Sequence, residues 1–60
     1  MNYYTIGQRI RELRKNNALS QQALAEKVGI STTHMSHIET GHTKLSLTVS
    51  VNLSLALGVS

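Results

Sequence analysis

Residues Gln21–Thr40 read QQALAEKVGISTTHMSHIET. The spacing predicts two short helices joined at a tight corner. Leu24 and Val28 stand four apart and Met35 and Ile38 three apart, so each pair lies on one helical face. Gly29 follows Val28 where a helix needs a residue that tolerates left-handed backbone. Ser31 sits where a second helix, about Thr32 to Thr40, needs its N-cap. Ile30 is apolar at the corner. Ala25 is small where two helices meeting at a steep angle would crowd each other.

Upstream, Ser20 is the expected cap of the first of these helices, Gln21 to Val28. Before it, Thr5-Ile6-Gly7-Gln8 fits a capping box in which Thr5 caps and Gln8 reaches back. That helix is expected to run to about Asn16 with Ile6, Ile10 and Leu13 on one face. Arg9, Arg11, Glu12, Arg14 and Lys15 fill the rest, and basic residues near the C-terminal end suit the helix dipole. Asn17 is the expected stop, in left-handed geometry, and Leu19 is expected to plug the core. Met1 to Tyr4 read as a frayed end, with Tyr3 and Tyr4 packing locally rather than stacking on a base.

Downstream, Leu45–Leu57, LSLTVSVNLSLAL, alternates apolar and polar or small residues at every step. By periodicity alone that is a strand signal. As a helix it places Leu47, Val51 and Leu55 on one side and Val49, Leu53 and Leu57 on the other. A single strand here would have no partner in the chain and an edge that invites aggregation. A helix satisfies its own backbone, with Ser46 to cap it and Gly58 to end it. Helix is the expectation, against the alternation.

The sixty residues make one small domain, 1–60. Such a chain buries only about 60% of the surface its unfolded form exposes. With no cysteine, neither a disulfide nor a thiolate metal site can reinforce it. No run is long or apolar enough to span a membrane and no signal pattern opens the chain, so the expected location is the cytoplasm. Six Lys/Arg against three Glu give a formal charge of +3. That balance suits a polyanionic partner but, being modest, does not by itself require one.

The pair of helices with a glycine corner is the pattern of a helix-turn-helix, whose second helix enters the DNA major groove. The exposed set on that second helix fits the role: Thr32, Thr33, His34, Ser36, His37 and Thr40 are short or medium donors and acceptors. A helix meant only for solvent would more often carry Lys and Glu. Threonine offers a hydroxyl to a base edge and a methyl to thymine; histidine donates or accepts at a purine edge. Gln21 and Gln22 place amides at a helix N-terminus, where anions are favoured, although position alone fits ordinary solvated residues equally well. His42-Thr43-Lys44 form a polar loop suited to the DNA backbone. His34 and His37 share a helix face with His42 nearby, but no acidic or thiol ligand lies close in sequence and no HExxH pattern exists, which argues against a metal. Ser36 beside His37 lacks any pocket or oxyanion hole that a catalytic pair would need, so no enzyme activity and no cofactor are expected.

Taken together, TIGQRIRELRK, LSQQALAEKVGIS, HMSHIETG and the terminal ALGVS resemble the phage-repressor and Cro family of helix-turn-helix domains, also called XRE-like. The resemblance spans nearly the whole chain. It implies an all-α, compact bundle of four to five helices in which the third is the recognition helix. It implies a salt bridge between Arg14 and Glu39, base-reading by Thr32, Thr33 and His37, and phosphate contact at Gln21. It also implies backbone contacts from the neighbouring Ser31, His34, Thr40, His42, Thr43 and Lys44. The chain departs from the family at His34, where an aromatic or small polar residue is usual. Ser50 and Ser54 stand where Leu and Ala are preferred in the core, and Val49 and Leu55 are apolar where polar residues are common. Ser60 ends the sequence before the fifth helix that often packs here.

The expected function is that of a sequence-specific double-stranded DNA-binding regulator, a repressor acting as a dimer on a near-palindromic operator. The fourth helix and chain end would hold the dimer together. Two further readings keep the fold: an antitoxin that binds a toxin and its own operator, and a protein–protein adaptor. Polar chemistry on the recognition helix favours DNA, since an adaptor would show apolar anchors there. The oily flanks of the fourth helix keep a protein partner in play.

Overall fold

Helix α1 (Tyr3–Asn16) begins earlier than a cap at Thr5 would place it; the computed structural model describes residues 2–59. Asn2 is the cap. Its Oδ1 accepts from the backbone N–H of Tyr4 at 3.0 Å and of Thr5 at 3.2 Å. Asparagine is the stronger N-cap, so it takes the helix start from threonine. Tyr3 and Tyr4 therefore form the first turn instead of a frayed end, and Tyr4 is 60% exposed rather than packed. The part of that expectation concerning Met1 lies outside the described residues.

The end of α1 is a second correction. Asn17 is the C-cap, but with φ −91° it is not left-handed; Ala18, at φ 56°, is. The Leu19 N–H reaches the Arg14 carbonyl at 3.1 Å and the Ala18 N–H the Lys15 carbonyl at 2.9 Å. These are the two bonds of a Schellman ending, which demands a left-handed residue one place beyond the cap. Asn17 instead folds its amide back on the Leu13 carbonyl at 2.7 Å.

Helices α2 (Gln21–Val28), α3 (Thr32–Glu39) and α4 (Leu47–Leu57) each start at a serine whose Oγ accepts a backbone N–H. Ser20 takes Ala23, Ser31 takes His34 and Ser46 takes Val49, at 3.0, 3.0 and 3.2 Å. The described residues are all-α, four helices without a strand, so the alternation in Leu45–Leu57 does not decide its structure. Helix α4 buries Leu53 and Leu57, with Val49 and Ala56 half-buried beside them. The opposite side is left out: Leu47 is 81%, Val51 50% and Leu55 77% exposed. No helix among the described residues is long and apolar enough to cross a membrane.

The core is Ile10, Leu24, Ala25, Val28, Met35, Ile38, Leu53 and Leu57, with Ile6, Leu13, Leu19, Ile30 and Leu45 packed around it. Helix α3 packs on both α1 and α2, and α4 packs on α2. Gly7 makes the α1–α3 contact close: a Cβ built there would lie 2.3 Å from the Ile38 carbonyl oxygen and 2.7 Å from that of Glu39. Only glycine fits. Between α1 and α4 an apolar crevice of about 160 Å³ remains, lined by Ile6, Ile10, Leu13, Leu53, Leu57 and Val59 among others.

Candidate nucleic-acid interface

Helix α3 has two chemically different sides. Met35, Ile38 and Glu39 are buried, while Thr32, Thr33, His37 and Thr40 are exposed and His34 and Ser36 half-buried. Hydrophobic burial of Met35 and Ile38, with the Glu39 ion pair, holds the second set outward. Both ends of the helix are chemically closed. Ser31 caps the start. At the finish, the Ser36 carbonyl accepts from the Thr40 N–H, His37 from His42, and Ile38 from Gly41, at 3.1, 2.9 and 3.2 Å. The last carbonyl, Glu39, accepts from Gln8 Nε2 at 3.3 Å. All four C-terminal carbonyls that an α-helix leaves without intrahelical partners are thus satisfied. Gly41 allows the turn: its φ is +77°, and a Cβ there would strike the Tyr4 backbone at 2.6 Å.

One buried carboxylate ties the motif to the rest of the bundle. Glu39 Oε2 accepts from Arg14 Nε at 2.6 Å and Glu39 Oε1 from Arg14 Nη2 at 3.1 Å, a bidentate pair. The side chains are only 10% and 1% exposed. Arg14 also donates from Nη1 to the Leu19 carbonyl at 2.8 Å. Gln21 Nε2 donates to Glu39 Oε1 at 3.1 Å, so α1, α2 and α3 meet at a single side chain. No buried side-chain nitrogen or oxygen among the described residues lacks a partner. A desolvated ion pair is tolerable only under such full satisfaction.

The residues with expected DNA roles fall into two groups. Thr32, Thr33 and His37 are brought together on the exposed side of α3. Thr40, His42, Thr43 and Lys44 follow in the exit loop; His42 Nδ1 lies 2.8 Å from Thr40 Oγ1. Ser31 is engaged in capping and His34 sits half-buried in the first turn. Gln21 donates one N–H of its amide to Glu39, which leaves the other for a second acceptor. Among the described residues no three His, Asp, Glu or Cys gather as a metal site would require.

In this neighbourhood sequence reasoning misassigned Gln8 and gave Gly7 no role. The capping-box reading sent the Gln8 amide back to Thr5, whereas it crosses to α3. A glycine in a helix interior costs about 0.5–1 kcal/mol relative to alanine, and that penalty was the available signal that Gly7 meets another backbone.

A helix-turn-helix family profile matches residues 10–60. No curated protein sequence matches the chain. Among solved structures, the restriction-modification controller protein C.AhdI from Aeromonas hydrophila is similar with a TM-score of 0.93 and 34% identity, over 97% of this chain and 88% of that one. The clp gene regulator ClgR from Corynebacterium glutamicum is similar with a TM-score of 0.95 and 25% identity, over all of this chain and 64% of that one. A second ClgR structure gives 0.94 and 25%, over all of this chain and 77% of that one.

Proposed function

The chain belongs to the helix-turn-helix family, and on that premise we propose that it is a sequence-specific DNA-binding transcriptional regulator, a repressor that binds a near-palindromic operator as a dimer. The carrying observation is α3 itself. Its polar Thr/His side is exposed while its other side is locked into the core and onto Arg14 through Glu39. C.AhdI, a controller protein by name, and ClgR, a gene regulator by name, support the same reading. Thr32, Thr33 and His37 read base edges in the major groove. Gln21, Ser31, His34, Thr40, His42, Thr43 and Lys44 contact or flank the phosphates and fix the register. The work is done on DNA in the cytoplasm and is not enzymatic.

The exposed stripe Leu47, Val51 and Leu55, spaced four apart along α4, supports a second copy packing there. Two such stripes packed together would hold two recognition helices about 34 Å apart, one turn of duplex. The same stripe is what favours a protein partner, such as the toxin of an antitoxin pair, as the second reading. Binding-site selection from a random duplex pool tests the proposal. A two-fold symmetric consensus is expected. An asymmetric consensus would remove the dimer, and no enrichment at all would remove the DNA-binding assignment in favour of the protein partner.

A further inference from the structure

Helix α1 meets the end of α3 along one stripe, Tyr4, Gly7 and Gln8, which stand three and four apart on one helical face. Gln8 Nε2 donates to the Glu39 carbonyl at 3.3 Å, and a Cβ on Gly7 would strike the carbonyl oxygens of Ile38 and Glu39. One turn nearer the N-terminus, the partner is no longer α3 but its exit loop. A Cβ on Gly41 would lie 2.6 Å from the Tyr4 Cα and 3.1 Å from the Tyr4 Cβ. The Tyr4 side chain therefore leaves its backbone beside Gly41, between Thr40 and His42.

That side chain is not spent on the core. Tyr4 is 60% exposed, whereas its neighbour Tyr3 is half-buried. These two are the only aromatic residues of the chain. Among the described residues, the hydrogen bond Tyr4 makes is from its backbone N–H to Asn2 Oδ1 at 3.0 Å, and its phenol has no partner. The phenol is a neutral O–H donor on a rigid ring with two side-chain torsions, so fixing it costs less entropy than fixing a lysine. Tyrosine is among the side chains that hydrogen-bond phosphate oxygens.

The surroundings suit an anion. Residues 3–10 and 40–46 hold no Asp or Glu. Glu12, one turn further along α1, is paired with Arg9, and Glu39 is buried against Arg14. Lys44 adds a positive charge to the same loop. Position selects phosphate over base: Thr32, Thr33 and His37 lie on α3 itself, whereas Tyr4 stands beyond its C-terminal end, among the residues assigned to the DNA backbone.

We propose that Tyr4 is a further DNA contact, its phenol donating to a backbone phosphate next to those held by the exit loop. The inference rests on the DNA-binding reading above and adds the first turn of α1 to that surface.

Fluorescence anisotropy with a labelled synthetic duplex of the selected site, combined with phosphate-ethylation interference, tests it. Tyr4→Phe keeps the ring and removes the donor. It should melt as the wild-type chain does, bind about three- to tenfold more weakly, and leave the salt slope unchanged, because no charge is lost. One phosphate whose ethylation blocks the wild-type chain should cease to matter for this variant. Tyr4→Lys places a charged donor at the same point and should steepen the salt slope by about 1. A Tyr4→Phe affinity within twofold of wild type, an interference pattern identical to wild type, or an unchanged slope for Tyr4→Lys would overturn the contact while leaving DNA binding intact. A wild-type chain that binds no duplex would instead overturn the reading beneath it.

Discussion

Ala18 holds a left-handed backbone, φ 56°, that alanine adopts at a cost of about 1–2 kcal/mol. The residue is exposed, so nothing compensates through packing. Ala18→Gly should stabilise the fold by about 0.5–1 kcal/mol, read as a higher midpoint in urea or heat denaturation; a lower midpoint would show that the unfolded state's added freedom outweighs the relieved strain. Gly7 is the converse case. Gly7→Ala removes a helix-interior glycine yet drives a methyl group into two carbonyls of α3, and should destabilise by about 1–3 kcal/mol or more. Glu39→Ala would strand Arg14 in a dry site and should cost about 3–5 kcal/mol by the same denaturation measurement. For a domain this small that approaches total stability. Residue-scale legibility follows the range of each interaction. Ser20, Ser31 and Ser46 were legible as caps because a cap bonds its own chain three residues on. Gly7 and Gln8 were not, because their partners lie more than thirty residues away in sequence.

The elements divide in the same way. The bounds of α2 and α3 could be read because serine and glycine chemistry closes them locally. The start of α1 was misplaced because two plausible caps, Asn2 and Thr5, compete within three residues. The α4 segment carried a strand's alternation, and only the absence of a partner strand and the presence of Ser46 and Gly58 argued otherwise. What a strict alternation does to a helix is visible in the result: apolar side chains occupy two flanks, and the bundle can bury one. For α3, the roles assigned to its exposed side can be separated by two kinds of substitution. Thr32→Ala or His37→Ala should relax base preference and cost about 1–3 kcal/mol in binding to the selected site. Lys44→Ala should weaken selected and random duplexes alike and lower the salt slope by about 1. A His37→Ala variant that selects the wild-type site unchanged would remove His37 from the readers.

At the scale of the whole molecule the unspent surface is the α4 flank. Leu55 is 77% exposed, so Leu55→Glu should leave the monomer's melting behaviour nearly unchanged. It should also abolish the dimer in sedimentation velocity and weaken operator binding; a wild-type chain that sediments as a monomer at high concentration would place the contact elsewhere. The sequence revealed both flanks of α4 but not which one the bundle takes, since that depends on where α2 lies. The buried Arg14–Glu39–Gln21 junction carries one further consequence, for how such a protein can change over evolutionary time. The groups that fix the attitude of α3 sit on its inner side, and the side chains proposed to read base pairs sit on its outer side. Substitutions at Thr32, Thr33, Ser36 and His37 can therefore accumulate without tilting the helix. A lineage carrying this junction can drift to new operators one side chain at a time, on a scaffold that does not have to be rebuilt.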